Sequence, residues 1–467
     1  MFIGRKTELN RLKEKNWRDK ATFTVIYGRR RVGKTALVEK AYEDARVWKF
    51  EGIEGENQHF QLRNFLYTLS KYNTQEFNLN PGKIDNWQDA LIALDSLIKD
   101  KELILFFDEF QWMAGMRKKL VAIFKWAWDN YLSKHPQCRV ILCGSISSFM
   151  VRNVLRSRAL YGRIDIEIHL KPLTVTETPA FFPDSKINSD ILETYFVTGG
   201  VPQYLIELNP DQSIIQNLTS LAFQPHGYFL KEYNRLFISH FGKNDIYEKI
   251  LNALSQKNRM TAEDLTKQVN YSAGGQFSRF LEDLELADFI QRIHPVDKEK
   301  KSKLLRYRLK DEFLHFYYRF IHSNAEAIEG ETIHAYQILS GHSFEQWRGY
   351  AFERLCVTHA RAIADSLKFS GINYKVGPWF RSDKKHKAQI DLLFIRADNV
   401  ITVCEMKYIN RLSYDIMESF EKRIEVVRQY FTCGIQKVLV CGKKISIPEK
   451  VSDYFEEILF ADDLFFD

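Results

Sequence analysis

The sequence predicts an α/β protein with a doubly wound parallel sheet, followed by helical segments and a second α/β domain. Two observations carry this prediction. Within residues 1–175, short and continuously apolar runs of the kind found in buried parallel strands alternate with helical stretches. Near the C-terminus, two strand-like runs at 389–395 and 400–407 flank a short polar turn.

Size and composition limit the class of protein. The 467 residues are enough for about three domains, and 45% hydrophobic with 27% charged residues is a globular balance. No apolar stretch approaches the ~20 residues of a membrane span, and the basic N-terminus is not a signal peptide. Six cysteines without a C-x-x-C pair predict reduced thiols in a cytoplasmic protein. The net charge of +7 mildly favours an anionic partner.

The first site motif is a glycine-rich loop. Residues 28–35 match G-x-x-x-x-G-K-[ST] in full, between an apolar run at 23–27 and a helical stretch at 36–41. Backbone N–H groups of such a loop point at the β-phosphate, and the following helix N-terminus adds positive potential. A chance glycine turn is the alternative, which the strand–loop–helix context disfavours. We therefore predict a P-loop NTPase that binds ATP through Gly28, Arg29, Arg30, Arg31, Val32, Gly33, Lys34 and Thr35.

The second half of this site follows the apolar run at 103–107, which ends in Asp108 and Glu109. Acids at the carboxyl end of a central parallel strand fall in the ligand crevice of an open α/β sheet. Lys34 is expected to bridge the β- and γ-phosphates, the Thr35 hydroxyl and Asp108 to hold Mg²⁺, and Glu109 to polarise the attacking water. The acid pair favours hydrolysis over binding alone. Two solvated acids at an ordinary strand end are the alternative.

Two further residues extend the predicted ATPase site. A strand-like run at 139–144 leads to Ser145, whose hydroxyl is placed to sense the γ-phosphate. Arg163 precedes the strictly alternating run 164–170, which predicts an edge strand. An arginine there would stabilise transferring charge on a nucleotide held by a neighbouring subunit or domain, which leaves a homo-oligomer open. A solvated or structural role for Arg163 is equally open.

These features resemble two groups of ATPases. Phe-Ile-Gly-Arg at residues 2–5, with Glu8 and Leu9, is similar to the adenine-proximal N-terminal segment of AAA+ ATPases. Gly-Gly-Val-Pro at 199–202 is similar to the glycine–proline signature of the archaeal-type signal-transduction (STAND) ATPases. The resemblance covers residues 1 to about 320 and implies that the nucleotide acts as a switch. A plain turn between helices is the alternative for 199–202.

From residue 245 the pattern changes to short amphipathic helices. Thr261 and Asp264 form a capping box at the start of the second helix. Strand-like runs at 289–293 and 304–309 then flank a basic turn at 298–303. Three short helices and a basic hairpin predict a winged helix-turn-helix. DNA contact through the hairpin lysines and pure scaffolding both remain open, because a charged tip also keeps an exposed hairpin soluble.

The two runs near the C-terminus predict a hairpin with its loop at 397–399. In that register Asp391 lies opposite Glu405 and Gln389 opposite Lys407, and the period of two puts all four on one face. Opposed carboxylates repel and call for a divalent cation, beside which Lys407 can hold a water or balance the charge of a phosphate.

An acid upstream completes this set. Glu353 lies in a helical segment at 344–367, on a face of the small residues Gly349, Cys356 and Ala360 that can approach a sheet closely. A carboxylate buried there needs a partner. The predicted metal site supplies one, and Arg354 or another basic group could equally do so.

These residues resemble the PD-(D/E)XK nuclease superfamily. Asp391 matches its first metal ligand, Glu405-Met406-Lys407 its E-x-K element, and Glu353 its helical acid. The resemblance implies Mg²⁺ or Mn²⁺ held by Asp391 and Glu405, and catalytic roles for Glu353, Asp391, Glu405 and Lys407. Ile390 stands where the motif has proline, and Lys422 and Gln429 are the candidate helpers. A hairpin with solvated charges and an inactive relative of the nucleases are the alternatives.

Together the motifs favour an ATP-controlled, metal-dependent DNA endonuclease of prokaryotic type, in defence or mobile-element biology. The expected organisation is a P-loop AAA+ core at 1–175, a helical lid at 176–240, a winged helix-turn-helix at 241–325 and a restriction-endonuclease-like α/β domain at 326–467. An ATP-driven DNA-binding or signalling switch without cleavage is the first rival. An interaction scaffold that holds proteins is the second.

Overall fold

The computed structural model describes residues 2–14, 20–72, 84–98, 102–242, 244–298, 304–382 and 387–466. They divide into two compact units. The first is Met1–Leu173 with Val201–Gln203 and Glu282–Asp288, and the second is Thr174–Gly200, Tyr204–Leu281 and Phe289–Asp467. Of the predicted basic turn at 298–303, all but Lys298 lies outside the described residues.

The first unit contains a five-stranded parallel sheet of order β2-β3-β4-β1-β5. Its strands are β1 (Thr22–Tyr27), β2 (Val47–Glu51), β3 (Leu103–Asp108), β4 (Cys138–Gly144) and β5 (Ile166–His169). The predicted strands are confirmed, and the alternating run forms the edge strand. Val25 and Phe107 join one apolar cluster and Ile26 and Phe106 another, because successive residues of a strand point to opposite faces. Both faces of the sheet are therefore covered.

Helices cover these faces. They are α1 (Lys6–Lys13), α2 (Lys34–Ala41), α3 (Gln58–Tyr72), α4 (Trp87–Leu97), α5 (Phe110–Met113), α6 (Lys118–Asn130) and α7 (Ser147–Phe149), with a 3-10 turn at Leu132–Lys134 and a π segment at Met150–Leu155. The loop between β1 and α2 requires glycine at its start. A Cβ on Gly28 would lie 2.2 Å from the Leu170 carbonyl oxygen, at a φ of 153° that L side chains rarely adopt.

The residues that follow the first sheet along the chain form helices and a small hairpin, most of which belong to the second unit. The elements from the end of the first sheet to the hairpin are a 3-10 segment at Val175–Phe181, α8 (Asn188–Thr198), α9 (Pro202–Ile206), α10 (Ile214–Ala222), α11 (Tyr228–Phe241), α12 (Asp245–Gln256), α13 (Ala262–Gln268), α14 (Gly275–Leu286), β6 (Ile290–Ile293) and β7 (Arg306–Leu309). The capping box of Thr261 and Asp264 is present at the start of α13. β6 and β7 pair antiparallel, and Met260 forms a further antiparallel bridge with Tyr307.

A mixed five-stranded sheet follows, of order β12-β11-β10-β9-β8. The elements are α15 (Glu312–Phe316), a π segment at Tyr317–Ile321, a 3-10 turn at His322–Asn324, α16 (Ala325–Glu329), α17 (Ala335–Leu339), α18 (His342–Thr358), α19 (Ala360–Ser366), β8 (Tyr374–Ser382), β9 (Lys387–Arg396), β10 (Val400–Lys407), α20 (Asp415–Arg428), β11 (Gly434–Cys441), α21 (Glu449–Tyr454), β12 (Glu457–Phe460) and α22 (Ala461–Phe465). β8, β9 and β10 run antiparallel, and β10, β11 and β12 run parallel.

The register of the β9–β10 hairpin is the predicted one. Ile401 pairs with Ile395 and Cys404 with Leu392, as expected from a loop at residues 397–399. One expectation is corrected, because the predicted helical segment 344–367 is two helices, α18 and α19, separated at His359. No helix in the described ranges is both long and apolar enough to cross a bilayer. All six cysteines are free thiols, and five of them are buried.

Candidate functional site

The P-loop is closed by contacts of its own lysine. Lys34 Nζ donates hydrogen bonds to the carbonyl oxygens of Gly28 (3.0 Å) and Arg29 (2.9 Å), and the side chain is buried. Arg5 Nη2 donates to the Val32 carbonyl at 3.1 Å, so the N-terminal segment contacts the loop. An ammonium group held inside the loop by weak neutral acceptors can be transferred to phosphate oxygens, which accept charge-assisted bonds more strongly.

The acid that ends β3 faces the first residues of α2. Thr35 Oγ1 donates to Asp108 Oδ2 at 2.8 Å, and Lys49 Nζ lies 3.4 Å from the same oxygen. Burial alone would lower the pKa of Lys49, but the charges of Asp108, Glu51 and Glu39 outweigh it, and the pKa of Lys49 is raised. Hard oxygen donors such as a hydroxyl and a carboxylate fit Mg²⁺. Thr35 and Asp108, which the sequence singled out, therefore lie together. Lys49 on β2 was not predicted.

The second acid is held by two neutral donors. Ser145 Oγ donates to Glu109 Oε2 at 2.6 Å, and Gln111 Nε2 donates to the same carboxylate and to Ser145 Oγ at 3.1 Å. Glu109 has a left-handed backbone with φ 49°, a conformation that costs energy for a residue other than glycine and is typical of functional sites. Gln111 is fully buried, and its Oε1 has no hydrogen-bond partner within the described part of the chain. The sequence identified Glu109 and Ser145 but missed Gln111.

Arg163 is engaged with Asp129. Its Nε and Nη2 donate to the two carboxylate oxygens at 2.6 and 2.9 Å, and Nη1 donates to the Ala159 carbonyl at 3.1 Å. A bidentate pair of this kind orients the planar guanidinium. Of the two roles left open from the sequence, these contacts of Arg163 fit the structural one.

A second polar cluster lies on the C-terminal sheet. Lys407 Nζ lies 2.8 Å from Glu405 Oε1, and Gln389 Nε2 donates to Asp391 Oδ1 at 3.0 Å, so each pair shares a face of its strand. Glu353 on α18 lies half-buried beside them. Desolvation, then the charges of Asp391 and Glu405, raise the pKa of Glu353 to about 7, against the opposing charges of Lys407 and Arg354. The four residues predicted for the second site therefore lie near one another. They are Glu353, Asp391, Glu405 and Lys407.

Arginines that the sequence did not predict hold these acids. Arg259 Nη2 lies 2.6 Å from Asp391 Oδ1, and Arg423 Nη2 lies 2.9 Å from Glu405 Oε2. Arg308 lines the same small cleft of about 20 Å³ as Arg259 and Asp391. Burial, and then the charges of Arg259 and Arg354, lower the pKa of Arg308 to about 10.

The candidate helpers lie away from these acids. Lys422 pairs with Glu418 on the exposed side of α20, and Gln429 is the C-cap of that helix. Arg354, weighed as a partner for Glu353, instead forms a bidentate pair with Glu312, in which Nε donates to Oε1 at 3.0 Å and Nη2 donates to Oε2 at 2.6 Å.

The C-terminal acids meet one requirement of a metal site and fail another. Their oxygens are of the type that Mg²⁺ and Mn²⁺ prefer. Yet in the described ranges no three Asp, Glu, His or Cys side chains lie close enough to hold an ion, and each β-strand carboxylate is bonded to a cationic side chain. The carboxylate oxygens are thus suitable ligands for a divalent cation, but arginine side chains already contact them.

Comparisons with known proteins agree with the first site. Residues 2–208 match a family described as an ATPase domain predominantly from Archaea, and residues 317–420 match one of archaeal and bacterial proteins of unknown function. An uncharacterized protein of Methanocaldococcus jannaschii is 28% identical over 461 residues, covering 96% of this chain and 97% of its own. An uncharacterized ATP-binding protein of the same organism is 47% identical over 47 residues, 10% of this chain and 80% of that protein.

A solved structure supports the same fold. A Walker-type ATPase of Pyrococcus abyssi superposes with a TM-score of 0.51 at 20% identity, covering 68% of this chain and 96% of its own. The chain therefore contains an archaeal-type P-loop ATPase domain, which binds nucleotide, and a C-terminal domain with a mixed sheet.

Proposed function

We propose that this chain is an ATP-controlled, metal-dependent nuclease. The observation that carries the proposal is the convergence of Glu353, Asp391 and Glu405 with Lys407 on the C-terminal sheet of a chain that also contains an ATPase domain. The charges of Asp391 and Glu405 raise the pKa of Glu353, and carboxylates so placed are unstable neighbours unless a cation or a proton joins them. Such a group beside an ammonium is suited to hydrolysis of a phosphodiester.

At the ATPase site, different residues of the chain bind the phosphates and activate the water. Lys34 exchanges its loop carbonyls for the β- and γ-phosphates, and Glu109 accepts a proton from the attacking water and orients it. Ser145 and Gln111 fix the carboxylate of Glu109. Thr35 and Asp108 would hold Mg²⁺, which neutralises phosphate charge when bound.

At the C-terminal site, Asp391 and Glu405 would hold the divalent cation, which supplies Lewis-acid stabilisation of the developing charge. Lys407 balances the charge of the phosphate, and Glu353, whose pKa is about 7, is able to hold or release a proton near neutrality. Arg308 adds positive charge to the same cleft.

DNA is the proposed substrate. The order of α12, α13, α14 and the β6–β7 hairpin, with Met260 bridged to Tyr307, supports a winged helix-turn-helix at about 241–325. In this proposal the preceding helices form the lid at 176–240, and residues 326–467 form the nuclease-like domain. Nucleotide state then reaches the acids through the winged segment, whose Arg259 contacts Asp391.

The test is cleavage of plasmid and linear DNA with Mg²⁺ or Mn²⁺, with and without ATP. Wild type is compared with Lys34→Ala, Asp391→Asn and the control Asp398→Asn, an aspartate of the neighbouring loop that pairs with Arg396. We expect wild type and Asp398→Asn to break DNA strands equally, and Asp391→Asn to break none. Cleavage by Lys34→Ala should no longer respond to ATP. Cleavage that persists unchanged in Asp391→Asn excludes this site.

A second function has one observation in its favour. Because Arg259 and Arg423 already neutralise Asp391 and Glu405, the C-terminal domain is also suited to an ATP-driven DNA-binding switch that does not cut. This candidate predicts ATP hydrolysis that Lys34→Ala abolishes and DNA binding that weakens steeply with salt. It also predicts intact DNA with every metal.

A further inference from the structure

We infer that Arg259 is a latch on the C-terminal site: its guanidinium occupies the cation position at Asp391 and must leave before a divalent ion can bind. The inference rests on the proposed function, in that it takes Asp391 as a metal ligand. It goes further by naming how that ligand is kept closed and which segment of the chain closes it.

The contact is direct and enclosed. Arg259 Nη2 lies 2.6 Å from Asp391 Oδ1, with the Arg259 side chain 8% exposed and that of Asp391 24% exposed. The guanidinium carbon also lies 5.8 Å from the centroid of the Phe380 ring. Arg259 precedes Met260, whose backbone pairs with Tyr307 at N–O distances of 3.0 and 2.7 Å. The hairpin therefore fixes the backbone from which the arginine reaches the acid.

One N–H group of the Arg259 guanidinium is not used in this pair. Nη1 of Arg259 is buried and has no hydrogen-bond partner among the residues that the structure describes. A buried donor without an acceptor loses its solvation without compensation. The neighbouring pair of Arg354 and Glu312 is bidentate, with three hydrogen bonds. The Arg259 contact thus has one hydrogen bond to its carboxylate where the Arg354 pair has three, as a releasable contact requires.

Competition follows from the shared oxygen. Asp391 Oδ1 accepts from both Arg259 and Gln389, so a cation that ligates this oxygen has to displace them. Two positive charges cannot occupy the same position beside one carboxylate. Glu405 is held by Lys407 and Arg423 from its own strand and the following helix, whereas Arg259 comes from the segment that precedes β6. A displacement of that segment would free Asp391 selectively.

The experiment measures Mn²⁺ binding to the full-length protein by electron paramagnetic resonance, without nucleic acid. The nucleotide site is removed from the measurement by a Lys34→Ala, Thr35→Ala background in every sample. We expect Arg259→Gln to bind Mn²⁺ about tenfold more tightly than the background, since a hydrogen bond to a charged group is worth about 1.5 kcal/mol or more. Adding Asp391→Asn to Arg259→Gln should abolish the gain.

Arg306→Gln is the matched control, because Arg306 stacks on the same Phe380 ring at 4.8 Å and belongs to β7, the strand to which Met260 is bridged. It should leave Mn²⁺ binding unchanged. Thermal unfolding verifies that each variant folds, and Arg259→Met, which also removes the charge, replaces Arg259→Gln if the latter does not fold. Unchanged or weaker Mn²⁺ binding in a folded Arg259 variant overturns the latch, even where wild type cleaves DNA. Tighter binding without DNA cleavage by any variant supports the latch and rejects the nuclease.

Discussion

Removal of the Ser145 hydroxyl tests how the ATPase site positions its acid. In Ser145→Ala, Glu109 loses the 2.6 Å hydrogen bond to its Oε2 and keeps only the one from Gln111. A hydrogen bond to a charged group contributes about 1.5–3 kcal/mol. If that energy holds Glu109 in its reactive orientation, kcat for ATP hydrolysis should fall about ten- to a hundredfold. KM for ATP should stay within about twofold, because the hydrogen bond that is lost is made to Glu109, whose proposed role is in the chemical step.

The assay is steady-state phosphate release over a range of ATP concentrations, with nucleotide affinity measured separately by a fluorescent ATP analogue. Ser147→Ala is the matched control. The Ser147 hydroxyl is buried and without a hydrogen-bond partner in the part of the chain that the structure describes, so its removal should be neutral or slightly stabilising. Equal kcat values for wild type and Ser145→Ala would refute the positioning role of Ser145.

Three further perturbations have definite expected outcomes. Gly28→Ala places a Cβ 2.2 Å from the Leu170 carbonyl oxygen and should cost more than about 2 kcal/mol of unfolding free energy, with loss of ATP binding, as measured by urea denaturation and titration. Arg163→Ala should lower stability by less than about 1 kcal/mol, since its pair with Asp129 is partly exposed, and should leave ATP hydrolysis unchanged; a large loss of kcat in a folded variant would instead indicate action on a neighbouring subunit. The His315 side chain is partly buried, with its Nε2 3.3 Å from the Leu309 carbonyl oxygen. Desolvation, followed by the charge of Arg354, holds the pKa of His315 well below the ordinary value, so the unfolded chain takes up a proton that the folded chain does not. The contribution of His315 to the unfolding free energy is therefore complete above the unfolded pKa of about 6.5. As the pH is lowered beneath that value, the unfolding free energy decreases by up to about 1.4 kcal/mol per pH unit. His315→Gln should reduce this slope, as measured by urea titrations at successive pH values.

The parts of the molecule that were predictable from sequence are those fixed by local patterns. The P-loop, the strand that ends in Asp108 and the β9–β10 register follow from motif spacing and from strand periodicity. Asn399, with φ 64°, supplies the left-handed residue that a three-residue hairpin loop needs. Each of these features depends on residues within about ten positions of one another, so a local sequence pattern is enough to predict it.

Most of the unpredicted residues are long-range partners, and Gln111, only two positions from Glu109, carries no motif that marks it. Arg259 and Asp391 are 132 positions apart, and an arginine in a polar turn gives no sign of which acid it will meet. Arg423 follows the predicted Lys422, but adjacent helix residues point about 100° apart, so one contacts Glu405 and the other lies on the exposed side. Gln111 and Lys49 contribute to the ATPase site only through the packing of the sheet, which no spacing rule reveals.

The three-residue connection between β9 and β10 constrains how relatives of this chain can diverge. An insertion of one amino acid at 397–399 that was taken up neither by a longer loop nor by a bulge would shift every cross-strand pair by one step. The carboxylates of Asp391 and Glu405 would then face away from each other, with no change in either residue. Loop length is therefore as strict a requirement for an acidic pair at this position as the identity of the acids themselves.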